Sequence, residues 1–379
     1  MSRFRRILRK TLSWSHRWLG LVGGILFFVI AFSGGIVTFR PQVASFLSPP
    51  APKLTHCVEP VDWNAVERQV EQYADAPINR IYAPTAPDTR YRFRMMTDRS
   101  AIYEHVIFDA CSGHILGKAN LAWMDWLVDF HHNLRADRTG RWYAGWMGAG
   151  LLLSGVGGLF LWLISSPSVQ RLLKLRSGPL LARDLHTSAG VTAGLLLTVA
   201  SLSSLWLCFP DAMEAVTRWV MPLPEKPRLV LHKPETSDAP FVGLGDLIDI
   251  AERAISGAEW HEIRLPQGYG NVRIRMWLPG DFRSLGNNVV SIDRATGASV
   301  VTDDYSSMLA GPRFVDALAG LHYGEWGGIP YRLLYGTAGL LSPLIFATGF
   351  LTWWLPRRRR NAQSARPLAK RAEAASRAR

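Results

Sequence analysis

Residues His16–Gly24 read HRWLGLVGG, and residues His186–Gly194 read HTSAGVTAG. Each stretch opens on a histidine that begins an apolar run. In each, glycines follow four and eight residues later: Gly20 and Gly24, then Gly190 and Gly194. On a helix these positions share one face. An imidazole then stands above a strip without side chains, where a flat group can reach the backbone. His131 and His322 stand shortly before two further apolar runs. The pattern predicts four membrane helices, each with a histidine near its start, and a pair of haem sites between them.

The apolar residues concentrate in Trp18–Phe39, Trp142–Ile164, His186–Phe209 and Tyr331–Leu355. Each run is close to the ~20 residues that cross a bilayer. Charge orients them. Of the net +13, residues 1–17, 165–184 and 356–379 hold nineteen Lys and Arg against Asp184 and Glu373, while the remainder holds 24 basic against 28 acidic residues. In a four-span chain these three segments share one side, and the positive-inside rule makes that side cytoplasmic, with both termini. Nucleic acid is not expected as a partner, because the positive charge sits beside the spans. The first run exceeds the ~7–15 apolar residues of a cleaved signal and recurs in the third span, so it reads as a retained anchor. Arg40-Pro41 stops it.

The segments are 1–40, a basic lead and first span; 41–141, an external domain with a juxtamembrane helix; 142–164, the second span; and 165–184, a basic loop. Then follow 185–209, the third span; 210–330, a second external domain; 331–355, the fourth span; and 356–379, a basic tail. In the first external segment the periodicity predicts a helix over Val61–Ala74, strands in INRIYAP and TRYRFRMMT, and a hairpin about FDACSGHILG. The amphipathic helix Trp123–Asp137 follows and carries His131 and His132. The second segment has a helix over Leu244–Ile255, strands in WHEIRLP, NVRIRMWLP and NNVVSIDRATGASVV, then the stretch Phe314–His322 ahead of the fourth span.

The two halves match. FDACSGHILG and IDRATGASVV share a turn position, and Arg141 and Arg332 each follow a histidine, His131 and His322, by ten residues. An internal duplication of this kind implies a pseudo-twofold axis along the membrane normal. His16 then pairs with His186 toward the cytoplasm and His131 with His322 toward the outside, with His132 as the alternative to His131. The fold class expected is membrane α+β: a four-helix transmembrane bundle with two small external α/β domains.

A membrane histidine is costly unless it faces the bundle interior. A single one at an interface is usually a satisfied polar residue; four that pair by repeat and by depth argue for ligation. Helix N-termini favour the neutral imidazole that iron needs. Arg17, Arg135, Arg141 and Arg332 are placed to meet haem propionates. His56, His105, His114, His232 and His261 have no repeat partner and read as surface residues. Of three cysteines, Cys57 and Cys111 share the first external segment, where a disulfide is permitted, and Cys208 ends the third span as a packing residue. No CxxC or CxxCH occurs, so haem would be held non-covalently. The external segments carry no nucleophile–base pair, carboxylate-pair motif or phosphate loop.

HRWLGLVGG, FDACSGHILG followed by FHHNL, IDRATGASVV and GLHYGEWGGIPYR resemble the PepSY-associated transmembrane family, over about residues 10 to 357. Its members are iron-regulated bacterial inner-membrane proteins, some of them ferric-siderophore reductases of the ferrioxamine type. The resemblance implies two periplasmic PepSY-like domains and two b-type haems with bis-histidine ligation by His16, His186, His131 and His322. It further implies reduction of a periplasmic ferric siderophore to release Fe(II), with electrons from a separate cytoplasmic donor. Three other readings compete, one of them, close in chemistry, a haem quinol or sulfur-compound oxidoreductase. A siderophore or peptide transporter predicts broken helices and a polar mid-membrane path. A non-enzymatic regulatory or binding protein of the PepSY type accounts for the external segments but gives the paired histidines no role.

Overall fold

The computed structural model describes residues 3–52, 57, 60–84, 88–96, 103–165, 168–225, 227–233, 241–326 and 328–377. In order, the first helices are α1 (Arg3–Val22), α2 (Gly24–Val37), α3 (Arg40–Leu47) and α4 (Trp63–Ala74). Strands β1 (Ile78–Tyr82), β2 (Arg90–Met95), β3 (Glu104–Asp109) and β4 (His114–Ala119) follow. Helices α5 (Ala122–Asn133), α6 (Asp137–Ile164), α7 (Val169–Leu172), α8 (Leu181–Cys208), α9 (Pro210–Val220) and α10 (Leu244–Ala254) lead to the second set of strands. These are β5 (Glu259–Arg264), β6 (Asn271–Trp277), β7 (Asn288–Asp293) and β8 (Ser299–Asp303), before α11 (Ala310–Tyr323), α12 (Gly328–Leu340) and α13 (Ser342–Arg377). The chain forms two compact units: Met1–Ile36, Arg141–Cys208 and Leu333–Arg379 make one, Val37–Gly140 and Phe209–Arg332 the other.

The first unit is helical. Three of its helices are long and apolar enough to cross a membrane: Asp137–Ile164, Leu181–Cys208 and Gly328–Arg359. The fourth expected span differs from a straight helix: α1 and α2 pass the same test only as a pair, and the axis turns by 70° between them. Gly23 is the reason. It has no side chain, and the Phe27 ring lies where its Cβ would be, at 2.9 Å for two ring carbons. Glycine is a usual site for such a bend. Elsewhere glycine lets helices touch. A Cβ on Gly35 of α2 would meet Gly336 O and Leu340 N of α12 at 2.9 Å each. The hydroxyls of Ser204 and Thr198 on α8 stand where Gly148 and Gly155 of α6 would carry side chains. This is the small-residue packing expected of helices in lipid.

The second unit is organised by a single sheet. All eight strands join in the order β4-β3-β2-β1-β5-β6-β7-β8, antiparallel throughout. The two external segments expected as separate small domains therefore meet edge to edge at β1 and β5, with Ile81 opposite Ile263. Each half contributes one helix and four strands in the same order. One core runs beneath both, from Val66, Val70, Ile81, Phe93 and Phe108 to Leu244, Leu247, Ile263, Ile274 and Ile292. Side chains of α4 also cap α10: Glu67 accepts from Leu244 N at 2.9 Å and Asn64 from Gly245 N at 2.7 Å. These bonds satisfy donors that a helix start leaves open.

Local signals account for the rest. Asp62 caps α4 by accepting from Ala65 N at 3.0 Å. Cys57 and Cys111 are joined by a disulfide. Helix α3 occupies the stretch where Arg40-Pro41 was expected only to end a span, since proline suits the first turn of a new helix. Helix α9 starts on Pro210 in the same way.

The shared core predicts shared stability. Ile263 is fully buried at the central strand pair, so Ile263→Ala should cost ~2–5 kcal/mol. Limited proteolysis in rising urea should then open both halves at the same lower concentration; release of residues 209–332 alone would show that they fold separately.

Candidate functional site: two histidine pairs and a buried polar network

The helical unit brings His16 of α1 and His186 of α8 together, with ring centroids 6.0 Å apart. Each ring is fixed in the same way. His16 Nδ1 lies 2.9 Å from the carbonyl oxygen of Ser154, and His186 Nδ1 lies 2.9 Å from that of Ile345. A carbonyl only accepts, so each Nδ1 carries the hydrogen and donates it. In the neutral ring Nε2 is left with its lone pair, the form a metal ligand takes. Four residues beyond each carbonyl stands a glycine under the ring: Gly158 would bring a Cβ to 3.0 Å from His16 Cε1, and Gly349 one to 2.9 Å from His186 Cε1. The sequence reading had no use for Gly349, although its spacing from Ile345 repeats that of Gly158 from Ser154.

The glycine strips are only partly alike. A Cβ on Gly20, Gly190 or Gly194 would meet no atom within 4 Å, whereas Gly24 faces the Phe346 ring. Arg17 is exposed.

The second unit pairs His131 of α5 with His322 of α11, at 6.2 Å between centroids and 31° between ring planes. His132 lies 5.8 Å from His131. The helix ends are shaped by the backbone. Leu134, Arg135 and Asp137 all take positive φ, at 52°, 62° and 47°, a conformation that costs L-residues energy and collects near functional sites. Helix α11 ends on Gly324, where φ of 71° costs little. Arg135, expected near a propionate, pairs with Asp129 at 3.0 Å. Arg332 is half-buried, and its Nε is buried with no hydrogen-bond partner among the described residues. Arg141 is exposed, and its charge acts on Cys208. Among the described residues, no three His, Cys, Asp or Glu gather to hold a metal ion.

One network escaped the sequence reading. His105, expected on the surface, is fully buried: its Nε2 donates to Asp125 Oδ2 at 2.6 Å, and Arg92 donates to its Nδ1 at 3.4 Å. Arg40 also binds Asp125, at 2.8 Å. Burial pushes the His105 imidazole below its ordinary value, against the opposing pull of Asp125. For Asp125 burial pushes up, but the His105 bond and the Arg40 charge outweigh it and hold the carboxyl low. Tyr82 lies beneath the Arg92 guanidinium, 3.9 Å from its centroid. Burial would raise its phenol, yet Arg40 and Arg80 overcome this and bring it down to about 7. Of the other unpaired histidines, His114 is exposed, His232 binds Asp293 at 2.8 Å and His261 stacks on Trp277. His56 lies outside the described residues.

The model of the PepSY-associated TM region matches residues 13–355. The chain belongs to the PepSY-associated transmembrane family. Both histidine pairs fall inside the matched stretch. A search of proteins curated for function finds no match.

The His105–Asp125 network makes stability pH-dependent. Below His105's ordinary 6.5 the unfolded chain takes up a proton that the folded one does not, so stability is complete above that pH and declines as pH falls. Thermal melts between pH 8 and 5 should show it, and a flat profile would contradict the assignment. Asp125→Asn, which takes the carboxylate from the buried His105 ring and from the partly buried Arg40, should cost ~1–3 kcal/mol at pH 8.

Proposed function

We propose that this protein is a di-haem oxidoreductase of the bacterial inner membrane. It passes electrons from a cytoplasmic donor to a ferric siderophore in the periplasm, which releases Fe(II). The observation that carries the reading is the matched state of His16 and His186, each donating Nδ1–H to a carbonyl of a neighbouring helix. A histidine that ligates a metal almost always gives its other nitrogen such a partner.

Spacing adds support. Two imidazoles sharing one iron, with metal–nitrogen bonds of ~2 Å and ring centres ~1 Å further back, have centroids ~6 Å apart. The pairs stand at 6.0 and 6.2 Å. Two b-type haems would supply one-electron transfer by cycling between Fe(III) and Fe(II). The chain's own residues hold and insulate them. His16 and His186 would hold one haem through Nε2, and His131 and His322 would hold the other. Gly20, Gly190 and Gly194 keep the helix surface low beside the first pair. Arg332, whose buried Nε has no hydrogen-bond partner among the described residues, offers a carboxylate a charge-assisted bond; Arg17 within α1 and Arg141 in the first turns of α6 are exposed. The basic charge of the N-terminus and tail supports a cytoplasmic position for both termini, and with them for the donor, by the positive-inside rule.

The transport reading draws on the bend at Gly23. The bend is packed by the Phe27 ring, which also lies against Gly150, and Gly24–Val37 carries no charged residue. Neither feature offers a polar route to a substrate or a coupling ion.

His16→Ala with His186→Ala should remove one of two haems and leave the other in place, read as a halved haem-to-protein ratio. His131→Ala with His322→Ala should remove the complementary half. An unchanged ratio in both variants would overturn the pairing.

A further inference from the structure

The sheet's two faces differ in chemistry. One buries the shared core. The other carries a row of arginines that the register brings side by side. Arg94 stands opposite Arg80, Arg80 opposite Arg264, and Arg264 opposite Arg273, on the adjacent strands β2, β1, β5 and β6. The neighbouring row on the same face reads Arg92, Tyr82, Glu262 and Arg275. Like charges directly opposite one another destabilise a sheet, so four in succession is a conflict that folding alone gives no reason to keep.

The compensation is thin. Glu262 serves three of these arginines at once, Arg80 at 3.1 Å, Arg264 at 3.0 Å and Arg275 at 3.5 Å. Among the described residues, Arg273 reaches Asp303, at 4.0 Å. Arg94 bonds the neutral Asn79 side chain and Arg92 the His105 ring. Arg80 Nε is buried with no hydrogen-bond partner among the described residues. Within the sheet, six guanidiniums thus share the carboxylates of Glu262 and of Asp303 on β8, while Asp125 of α5 acts on Arg92 and Arg94 and Asp316 of α11 on Arg275. The face is open to solvent at its centre, with the side chains of Arg264 and Arg273 41% and 45% exposed. Toward the outer histidine pair, Arg283 lies over the ring of Tyr323, the residue after His322, at 5.6 Å.

We infer that this arginine row is the binding floor for an anionic, carboxylate-bearing ferric chelate. The inference rests on the reductase reading and specifies the substrate class of that site. Guanidinium groups are suited to carboxylates, which they meet with paired N–H donors. Four strands at ~4.8 Å spacing make the row about 14 Å across, the scale of one compact chelate and short for a polymer track. Arg264 and Arg273 make the accessible contacts. Arg80, held between them and Arg94, supplies its unused Nε–H and a field that Glu262 only partly offsets.

The test uses the full-length purified protein and redox-inert gallium(III), so binding is measured whether or not haem is present. Gallium–citrate should bind in a salt-sensitive manner, and neutral gallium tris(acetohydroxamate) at least tenfold more weakly. Arg264→Gln with Arg273→Gln should weaken gallium–citrate binding at least tenfold at unchanged haem content. Arg264→Lys with Arg273→Lys, which keeps the charge but not the paired donors, should bind more weakly than the parent and more tightly than the Gln variant. Equal affinity for the two chelates, or an unaffected Gln variant, would overturn the inference. Loss of haem from the Gln variant would overturn it too, by giving these arginines to the haem carboxylates. A protein that lacks haem yet binds gallium–citrate as described would sink the reductase reading and leave the anion site standing.

Discussion

Two hydrogen bonds, from His16 Nδ1 to Ser154 O and from His186 Nδ1 to Ile345 O, are the constraint that the helical unit is built to satisfy. Each ties a histidine on one helix to the backbone of another. Each therefore needs the two helices close, and Gly158 and Gly349 provide the approach. A larger residue there would push the ring away and lose the bond that fixes its tautomer. The chemistry of the site and the packing of the helices are one problem here, solved twice with the same spacing between carbonyl and glycine.

In the second unit the corresponding constraint is the β1–β5 pairing. By joining the halves edge to edge it removes two free strand edges, which would otherwise invite association with other chains. It also makes one core from two sets of helix and strands. The same pairing sets Arg80 against Arg264, so the architecture that stabilises the unit is what concentrates positive charge on its other face. Buried groups there are held by partners of opposite demand: His105 between Asp125 and Arg92, and Tyr82 beneath three guanidiniums.

Much of this was legible in the sequence. Apolar runs and flanking charge located the spans, period-two alternation located the strands, and the repeat paired His131 with His322 through their matching distance to Arg141 and Arg332. What was not legible depends on long-range register. Nothing local in INRIYAP or WHEIRLP says that the two strands are neighbours, so one sheet was read as two domains and the arginine row stayed hidden. His105 looked like a surface histidine because its partner Asp125 lies twenty residues away on α5. Gly24 was read with Gly20 as a flat strip, although its neighbour Gly23 makes a glycine pair that also marks a bend. Pro41 was read as a stop, although proline equally begins a helix.

The account stands most directly on the content of the two histidine pairs. A visible spectrum of the detergent-purified protein, oxidised and then reduced with dithionite, with a pyridine haemochrome count, measures it. The account predicts two b-type haems per chain, reoxidised when a ferric siderophore is added. A colourless protein that takes up no haem on reconstitution would contradict it and return the paired histidines to a structural role.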